Sequence, residues 1–350
     1  MGRTLIIGGN RFMGRLLVWR LVTAGETVTT LNRGHRADPF GTRIERLHAD
    51  RSSPAFKDAL RGREFDAVVD FAGFNAADAQ GAVDALKDRV GHYVFISSGA
   101  VYMVRQGAQL PCSEPLAESA YPGELSAPPS SPEDLPSWQY GVNKRAAEDI
   151  LTAAWVKHRF PATRLRLPIV NGEWDPDRRL ESYLWRILDE GPVLLPEGGN
   201  NVIRHVYSDD VVTAIATLLG KANTFGQAFN LAQDEQVPLR TLVHLLANLL
   251  ETPDRSERVA EATLTRVGLS SRMVSPFSGR WASLLDPSRA NKELEFRHEP
   301  LVQYLAKIVT HFLNHPPTAP PEHYARRRTE FELSHADAGA VANYTEKWDA

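Results

Sequence analysis

Hydrophobic positions in the N-terminal third of the chain follow two alternating patterns. Short apolar runs have the length of buried strands, at residues 5–7, 27–31, 44–48, 66–71 and 92–97. The stretches between them show the three-to-four-residue spacing of helices, at residues 12–24, 54–60 and 77–90. Strands that alternate with helices predict an α/β fold, a Rossmann-type doubly wound parallel sheet with right-handed crossovers.

The second half of the chain predicts a smaller, discontinuous domain. Helical spacing covers residues 180–190, 239–250 and 301–312, and residues 192–196 read as a strand. Residues 209–219 and 228–232 are expected to return to the main sheet. We therefore expect a dinucleotide-binding domain at residues 1–170, joined by 206–232, and a C-terminal substrate domain at 171–205 and 233–315. Residues 316–350 read as an appended tail.

A glycine turn follows the first predicted strand. Gly8 and Gly9 let the backbone turn tightly and approach a ligand, while Gly14 lets the next helix pack close to the strand. The N-terminal amides and dipole of that helix favour an anion. This pattern predicts a site for a dinucleotide pyrophosphate.

The second predicted strand ends in Asn32 and Arg33, where an NAD site usually carries an acidic side chain. Arg33 and Arg36 could instead pair with a 2′-phosphate, which favours NADP(H) and leaves NAD(H) as the other option. The alternative is that both are solvated loop arginines.

Tyr140 and Lys144 lie four residues apart in a predicted helix, so their side chains share one face. A nearby ammonium lowers the pKa of a tyrosine from its free value of about 10. Such a tyrosine can exchange a proton with an alcohol or ketone oxygen. Ser98, at a strand end, could donate a hydrogen bond to the same oxygen. The alternative is a surface pair and a turn serine.

Composition narrows the partners and the compartment. The chain has 350 residues, 43% hydrophobic and 24% charged, which is typical of a globular protein. Its net charge of −3 gives no reason to expect nucleic acid or an anionic membrane as a partner. Cys112 is the only cysteine, so no internal disulfide can form, and no apolar run suggests a signal peptide or membrane span. We expect a cytoplasmic protein with a small-molecule substrate.

The motifs taken together resemble the extended short-chain dehydrogenase/reductase superfamily, in its NAD-dependent epimerase/dehydratase group. The resemblance covers residues 3–314 and rests on Gly8-Gly9-(x)4-Gly14, Ala72-Gly73, Ser97-Ser98, Tyr140-(x)3-Lys144, Arg166-Leu-Pro168-Ile-Val170, Tyr207–Val211, Ala228–Ala232 and Asp286–Leu294. It implies that Ser98, Tyr140 and Lys144 form a catalytic trio, with Lys144 also holding the nicotinamide ribose. The implied activity is hydride transfer at a secondary alcohol or ketone, most naturally of a nucleotide-activated sugar.

The resemblance also implies the cofactor contacts. Asp50 would meet the adenine, Phe71 to Gly73 would cover the adenosine side, and Pro168 to Val170 would lie by the nicotinamide. The full predicted set is Gly8, Gly9, Asn10, Arg11, Phe12, Met13, Gly14, Asn32, Arg33, Arg36, Asp50, Phe71, Ala72, Gly73, Ser97, Pro168 and Val170. Family members often dimerise through the helices that here cover residues 77–90 and Tyr140, so a homodimer is expected.

One position departs from the family pattern. Arg11 stands where most members have glycine, and this turn with Asn32-Arg33-Gly34 is similar to an atypical branch that includes chloroplast stem-loop RNA-binding proteins. Arg11 could contact a cofactor phosphate, or it could mark a degraded dinucleotide site. Three functions stay open: an enzyme acting on a sugar nucleotide, an NADPH-dependent ketoreductase of another metabolite, and a non-catalytic dinucleotide-sensing or RNA-binding relative.

Substrate and metal candidates are fewer. Tyr102, Glu114 and Asn171 lie in segments that border the substrate in the family, and Arg204 resembles the arginine that grips a sugar-nucleotide pyrophosphate. His311 and His315 are four residues apart on one predicted helix, which could make half a metal site. A helix C-terminus also favours such cationic side chains, and we predict no metal.

Overall fold

The computed structural model describes residues 2–334. Its strands are β1 Arg3–Ile7, β2 Thr27–Asn32, β3 Glu45–His48, β4 Ala67–Asp70, β5 Tyr93–Ser98, β6 Ala162–Leu167, β7 Val170–Asn171, β8 Val193–Pro196, β9 Val202–Ile203, β10 Val206–Tyr207, β11 Ala228–Asn230, β12 Val237–Pro238 and β13 Ser256–Val259. Each strand predicted from apolar runs in the N-terminal third is present, with ends within two residues of the expected ones.

The helices predicted from amphipathic stretches are also present, and their ends differ from the expected ones by at most two residues, except that the helix expected at residues 77–90 ends at Leu86. They are α1 Phe12–Thr23, α2 Pro54–Ala59, α3 Ala76–Leu86, α4 Ala100–Met103, α5 Leu135–His158, α6 Arg179–Leu188, α7 Ser208–Leu218, α8 Leu239–Leu249, α9 Glu261–Arg266, α10 Ser271–Val274, α11 Ser288–Glu293, α12 Leu301–Asn314 and α13 Arg327–Leu333. Short 3₁₀ turns lie at Gly41–Arg43, Glu118–Ala120, Ala222–Thr224 and Glu322–Tyr324. Within residues 2–334, no helix has the length and apolar character needed to cross a bilayer.

The chain forms two compact units. Unit 1 contains the residues up to Val170, His205–Ala232 and Ser283–His298; unit 2 contains Asn171–Arg204, Gln233–Ala282 and the residues from Glu299 onward. The segment Ser283–His298 corrects the expected boundaries, which placed it in the second domain. Its backbone explains the difference, because Leu116 N donates to Leu284 O at 2.7 Å and Asp286 N donates to Leu116 O at 3.0 Å.

Unit 1 is built on a seven-stranded parallel sheet in the order β11-β6-β5-β4-β1-β2-β3. This order confirms the predicted doubly wound fold, in which ligands bind where the strand order reverses. Alternate residues of β1 enter different apolar clusters. Ile6 belongs to the cluster that includes α1 and α7, and Leu5 and Ile7 belong to the one that includes α3 and α5. Helices thus cover both faces of the sheet.

The register brings the strand ends to one edge. Ile7 pairs with Leu31 and with Asp70, and Ser98 pairs with Leu167. The residues that follow β1, β2 and β4 are therefore neighbours. The predicted cofactor residues of these turns all leave the sheet at this edge.

Unit 2 packs α6, α8 and α12 with two small sheets, β8 with β13 and β9 with β12. Four residues with buried side chains join α13 to the end of α6, and we call them the C-terminal clasp: Arg186, Asp189, Arg327 and Glu330. Arg186 Nε donates to Glu330 at 2.8 Å, and Arg327 donates to Glu330 at 2.7 Å and to Asp189 at 2.6 Å. Burial opposes the charge, yet Asp189 and Glu330 raise the pKa of Arg327.

The clasp corrects the expectation of an appended tail from residue 316 onward. Residues 322–333 form a 3₁₀ turn and α13, and the side chains of Arg327 and Glu330 are fully buried. The physical reason is that Arg186 and Asp189 carry buried charges, and residues 327–330 supply the oppositely charged partner of each. The remainder of the predicted tail, from residue 335, lies outside the described residues.

Candidate functional site

The glycine turn holds backbone against backbone. Gly8 has φ of +88°, and a Cβ there would lie 3.3 Å from the Cβ of Ala72. A Cβ on Gly14 would lie 2.7 Å from Gly8 O, and one on Gly9 would lie 3.1 Å from Val18. The glycines therefore let the first turn of α1 and the segment after β4 pack close to the end of β1.

The turn and the end of β2 are locked together by side-chain amides. Asn32 Nδ2 donates to Asn10 Oδ1 at 3.1 Å, and Asn10 Nδ2 donates to Arg36 O at 3.2 Å. Gly34 N donates to Asn32 Oδ1 at 2.8 Å. Asn32 thus shapes the loop that carries the candidate phosphate-binding arginines.

A cavity of about 470 Å³ lies over this edge of the sheet. Its lining is Ile7, Gly8, Asn10, Arg11, Leu31, Asn32, Arg33, Gly34, His35, Arg36, Ala49, Asp50, Arg51, Ser52, Ala72, Phe74 and Asp78. Arg11, Arg33 and Arg36 are exposed. The cavity thus brings together the predicted turn, the loop arginines and Asp50, and it has the size of a cofactor site.

Asp50 is an exposed carboxylate on the lining. Ser52 donates to it from its hydroxyl at 2.6 Å and from its backbone amide at 2.9 Å. These hydrogen bonds, with the charges of Arg33 and His35, lower the pKa of Asp50. An ionised carboxylate therefore stands opposite the basic loop.

Beneath the cavity lies a group that we call the strand-end cluster: Arg51, Asp70, Asp78 and Lys144. Arg51 donates to Asp70 at 2.7 Å and lies 3.3 Å from Asp78. Asp70 also accepts hydrogen bonds from the Ala72 amide at 2.9 Å and from the buried Tyr93 hydroxyl. Burial opposes the charge of Arg51, but the carboxylate of Asp70 raises its pKa.

Lys144 is buried in the middle of α5 and its ammonium reaches two strand ends. Nζ donates to Gly73 O at 2.6 Å and to Ile96 O at 2.7 Å. It also lies 5.1 Å from the ring of Phe74. Burial lowers the pKa of Lys144 to about 8, against the opposing field of Asp70.

Tyr140 lies one turn before Lys144 on α5 and is 40% exposed. Ser98 ends β5, is half-buried, and its Oγ accepts a hydrogen bond from Ala100 N at 3.2 Å. Ser98 thus lies on β5, and Tyr140 and Lys144 lie on α5. The hydrogen bond from Lys144 to the Ile96 carbonyl connects the two elements. An exposed phenol, a hydroxyl and a buried ammonium are the groups that proton transfer at a carbonyl requires.

A second buried network extends along the same helix. Ser97 donates to Glu148 at 2.5 Å, and Arg166 makes a two-pronged ion pair with Glu148 at 2.6 and 3.0 Å. Although burial opposes it, the Arg166 charge lowers the pKa of Glu148. The Ser97 hydroxyl is therefore engaged by the buried Glu148. The contact of Ser97 with the cofactor stays a prediction.

The hydroxyl of Tyr102 lies in the same network. It accepts from Arg166 at 2.7 Å and donates to Asn230 at 2.8 Å, and the residue is 2% exposed. The prediction that Tyr102 contacts substrate therefore does not extend to its hydroxyl. Glu114 is exposed and lines a separate cavity of about 210 Å³ together with the ring of Tyr102.

Other predicted residues take more peripheral places in unit 1. Phe12 and Met13 are half-buried against the first apolar cluster, as is Phe71, and Phe12 has an unusual φ of +45°. Pro168 follows β6 and is half-buried, and Val170 is buried at the start of β7.

Two predicted substrate residues belong to unit 2. Asn171 is buried and its amide donates to Tyr304 at 3.4 Å. Arg204 is also buried and donates to Asp234 O at 2.9 Å. Both make internal contacts within unit 2, so their roles toward substrate stay predictions.

His311 of α12 and His315, which directly follows that helix, stack on each other with ring centroids 4.6 Å apart, beside Trp174. Within residues 2–334, no three histidine, cysteine or acidic side chains come together in a way that could hold a metal ion.

Comparison with known proteins places this geometry in a family. The sequence profile of the NAD dependent epimerase/dehydratase family matches residues 4–232. The chain is a member of the NAD-dependent epimerase/dehydratase family. The profile covers the glycine turn, the loop arginines, Ser98, Tyr140 and Lys144. The resemblance drawn from the motifs is therefore confirmed, and the chain is an enzyme of this NAD-dependent class.

Two curated relatives differ in function. A 2′-dehydrokanamycin reductase from Streptomyces kanamyceticus is 29% identical over 260 residues, covering 72% of this chain and 67% of that protein. The chloroplast stem-loop binding protein of 41 kDa b from Arabidopsis thaliana is 25% identical over 253 residues. That match spans 67% of this chain and 60% of the plant protein's length.

Solved structures share the fold at low sequence identity. A dTDP-glucose 4,6-dehydratase from Bacillus anthracis, in complex with NAD, superposes with a TM-score of 0.70 at 15% identity and covers 90% of this chain and 97% of its own. A UDP-glucose 4-epimerase from Thermotoga maritima gives 0.70 at 17% identity, with coverages of 89% and 99%. These similarities show the epimerase/dehydratase fold.

The residues of unit 1 fit a nicotinamide dinucleotide. A Cβ on Gly14 would collide with Gly8 O, so glycine lets the first turn of α1 lie against the end of β1, where its free amides suit a phosphate. Three residues of this region are absent from the set predicted from the sequence: Arg51, Asp70 and Glu148. Glu148 could have been found, because it continues the four-residue spacing of Tyr140 and Lys144, whereas the pairing of Arg51 with Asp70 has no local signal.

Proposed function

We propose that this protein is an NADP(H)-dependent enzyme that transfers a hydride at a secondary alcohol or ketone carbon of a sugar. One observation carries the proposal. The ammonium of Lys144 is fixed by Gly73 O and Ile96 O at the ligand-binding edge, one helical turn from the half-exposed Tyr140. A buried cation at that position has a function to perform, because its burial costs free energy.

Each residue of the trio has a distinct task. The Tyr140 hydroxyl gives a proton to the substrate oxygen during reduction and takes it back during oxidation. Ser98 donates a hydrogen bond to the same oxygen as its charge develops. Lys144, while protonated, favours the tyrosinate form of Tyr140. A bound nicotinamide supplies or accepts the hydride.

The preference for NADP(H) rests on the loop after β2. Arg11, Arg33 and Arg36 are exposed on the cavity lining, and Asn32 holds the backbone of that loop with its side chain. Asn32 stands where a carboxylate would meet a ribose 2′-hydroxyl. Guanidinium groups pair with phosphate in a two-pronged way, so the loop suits a 2′-phosphate.

Two classes of substrate are proposed. A nucleotide-activated sugar is the first candidate, since the names of the dehydratase and the epimerase reported above give nucleotide sugars as their substrates. A reductase of a sugar without a nucleotide is the second, and the similarity to 2′-dehydrokanamycin reductase favours it. The contact of Arg204 with Asp234 O also favours it, because a pyrophosphate grip would have to replace that bond.

Calorimetric titration with NADPH and NADH tests the cofactor proposal. The wild-type protein should bind NADPH more tightly, and Arg33→Ala/Arg36→Ala should weaken NADPH binding about 10- to 100-fold, with little effect on NADH. The control is Arg61→Ala/Arg63→Ala, which removes the same charge from residues outside the cavity lining. Equal affinity of the double variant for NADPH would contradict the assignment of the arginines.

Turnover assays then separate the two substrate classes. An epimerase or dehydratase first takes a hydride from its substrate and then returns it, so a nucleotide sugar supplied with NADP+ would be converted without net formation of NADPH. A reductase consumes NADPH in proportion to product. If neither dinucleotide binds, both enzyme proposals fail, and RNA binding becomes the function to test.

A further inference from the structure

Residues 72–75 lie between β4 and α3 and form part of the wall of the unit 1 cavity. Ala72 and Phe74 both line that cavity, and the side chain of Phe74 is 52% exposed. Gly73 lies between them and supplies one of the two carbonyls that accept a hydrogen bond from Lys144. The position of this segment therefore affects both the shape of the cavity and the place of the ammonium group.

Two carboxylates hold the backbone of the segment. Asp70 accepts a hydrogen bond from Ala72 N at 2.9 Å. Asp78 accepts hydrogen bonds from Phe74 N at 2.8 Å and from Asn75 N at 3.3 Å. The Asn75 side chain in turn accepts from Asp78 N at 3.0 Å, which completes the cap of α3. The segment is thus fixed at its beginning by Asp70 and at its end by Asp78.

Arg51 joins these two residues to each other. Its Nη1 donates to Asp70 at 2.7 Å, and its Nη2 donates to Asp78 O at 2.8 Å. Its Nε lies 3.3 Å from the carboxylate of Asp78. The side chains of Arg51 and Asp70 are only 11% and 0% exposed, so water screens their ion pair weakly. The guanidinium therefore connects the two ends of the segment behind the cavity wall.

Asp70 also lies close to the point where Lys144 is bound. A Cβ on Gly73 would lie 3.2 Å from Asp70 Oδ2, and the buried hydroxyl of Tyr93 donates to the same carboxylate. Burial, together with the charge of Asp70, raises the pKa of Tyr93, so this hydroxyl stays neutral. The negative charge therefore remains on Asp70, next to the residue whose carbonyl binds the ammonium group.

Charged groups face Lys144 from four parts of unit 1. Asp70 ends β4, Arg51 follows β3, Asp78 belongs to α3, and Glu148 lies one turn further along α5. Burial lowers the pKa of Lys144, the three carboxylates act to raise it, with Asp70 the strongest, and Arg51 acts to lower it. Removal of Asp70 and removal of Arg51 should therefore affect the ammonium in opposite directions.

We propose that Arg51 and Asp70 are positioning residues of the proposed reaction, which act through Lys144. Their ion pair fixes residues 72–75 and hence the carbonyl that holds the ammonium group, and Asp70 supplies the negative charge that this ammonium faces. The inference rests on the proposed function for the role of Lys144 toward Tyr140, but the contacts among the charged residues themselves involve no substrate.

NMR titration of the full chain, without cofactor or substrate, follows the protonation of Lys144 directly. Lysine is isotope-labelled at Cε, and the signal of Lys144 is the one that Lys144→Met lacks. The wild-type signal should titrate at about pH 8. Asp70→Asn should lower this midpoint by about one pH unit, and Arg51→Met should raise it by about one pH unit. Arg51→Lys keeps the charge and should leave the midpoint near its wild-type value.

The opposite directions separate positioning from a purely structural role. Both Asp70→Asn and Arg51→Met break the same ion pair, and a general loosening would admit water to Lys144 and raise its midpoint in both variants. In turnover assays the alkaline fall of kcat/KM should begin at lower pH in Asp70→Asn and at higher pH in Arg51→Met than in the wild-type enzyme.

An exposed aspartate–arginine pair of unit 1, Asp58 with Arg61, provides the matched control. Neither residue lines the cavity, so Asp58→Asn and Arg61→Met should leave the midpoint of Lys144 unchanged. If Asp70→Asn does not fold, Asp78→Asn replaces it and should also lower the midpoint, because the Asp78 carboxylate acts on Lys144 in the same direction.

Two results would overturn the proposal. One is a midpoint that stays at its wild-type value or rises when the Asp70 or Asp78 charge is removed. The other is a midpoint that stays or falls in Arg51→Met. Failure of the protein to bind NADPH or to turn over substrate would instead contradict the proposed function, since the NMR titration requires neither.

Discussion

Both units bury charged side chains, but the two clusters face different surroundings. The strand-end cluster of unit 1 lies under a cavity and ends in Lys144, whose ammonium is held only by two backbone carbonyls among its described hydrogen bonds. The C-terminal clasp of unit 2 is closed on itself, with each of its arginines paired to a carboxylate. A buried charge that lacks a direct carboxylate partner indicates chemistry, whereas a fully paired set indicates structure.

The largest effect should come from removing the ammonium of unit 1. Lys144→Met should lower turnover about 10²- to 10⁴-fold, because Tyr140 loses its electrostatic support. Its stability should be unchanged or higher, since methionine fills the space without a charge to desolvate. Steady-state kinetics and urea unfolding measure the two properties. Lys157→Met, exposed on the same helix, is the control. Normal turnover in Lys144→Met would show that the buried ammonium of unit 1 does not serve catalysis.

The clasp should show the opposite behaviour. Glu330→Gln leaves Arg186 buried without its carboxylate and should destabilise unit 2 by about 3–5 kcal/mol in urea unfolding. Glu332→Gln on the same helix removes an exposed carboxylate and should leave the unfolding midpoint unchanged. An unaltered midpoint in Glu330→Gln would show that the clasp does not hold α13.

Raising the pH should produce a smaller and reversible loss of activity. The pKa of Lys144 is lowered to about 8 by burial, so its ammonium is lost as the pH rises through that value. The neutral amine no longer favours the tyrosinate of Tyr140, and kcat/KM should fall about tenfold per pH unit above pH 8. The profile of Lys144→Met should lack this descent. A descent that persists in the variant would assign the titration to another group.

The smallest effect concerns two residues with positive φ, one at the end of a helix in each unit. Arg159 follows α5 with φ of +54°, and Glu251 follows α8 with φ of +53°. Glu251→Gly should stabilise unit 2 by about 0.5–1 kcal/mol, because glycine adopts this conformation without strain. Arg159→Gly should yield less, since Arg159 also lies 5.2 Å from the Trp155 ring. Thermal unfolding can rank the two, and an equal gain would show that the ring contact contributes nothing.

The features foreseen from the sequence are those with local causes. The strands of unit 1 follow from apolar runs, and the turn after β1 follows from glycines whose Cβ atoms would collide with backbone. The trio could be proposed because Tyr140 and Lys144 are one helical turn apart. Their catalytic roles are still a prediction, to be decided by the kinetics above.

The features that could not be predicted from the sequence depend on partners that are distant along the chain. Arg51 meets Asp70 across 19 residues, and Arg186 meets Glu330 across 144. No local pattern marks such pairs, because an isolated arginine in a sequence looks like a surface residue. For the same reason the sequence does not show that residues 322–333 pack on α6, or that the Tyr102 hydroxyl accepts a hydrogen bond from Arg166. The contact of Tyr102 with substrate stays a prediction.

The division of each unit into distant segments affects the order in which the protein can be made. Unit 1 lacks its last segment until His298 has left the ribosome, and the clasp cannot close until Glu330 follows. The nascent chain therefore carries Arg186 without its carboxylate for most of the translation of unit 2. Folding of both units is consequently a late event in synthesis, and a ribosome that stops before residue 330 releases a chain with an unpaired charge in its interior.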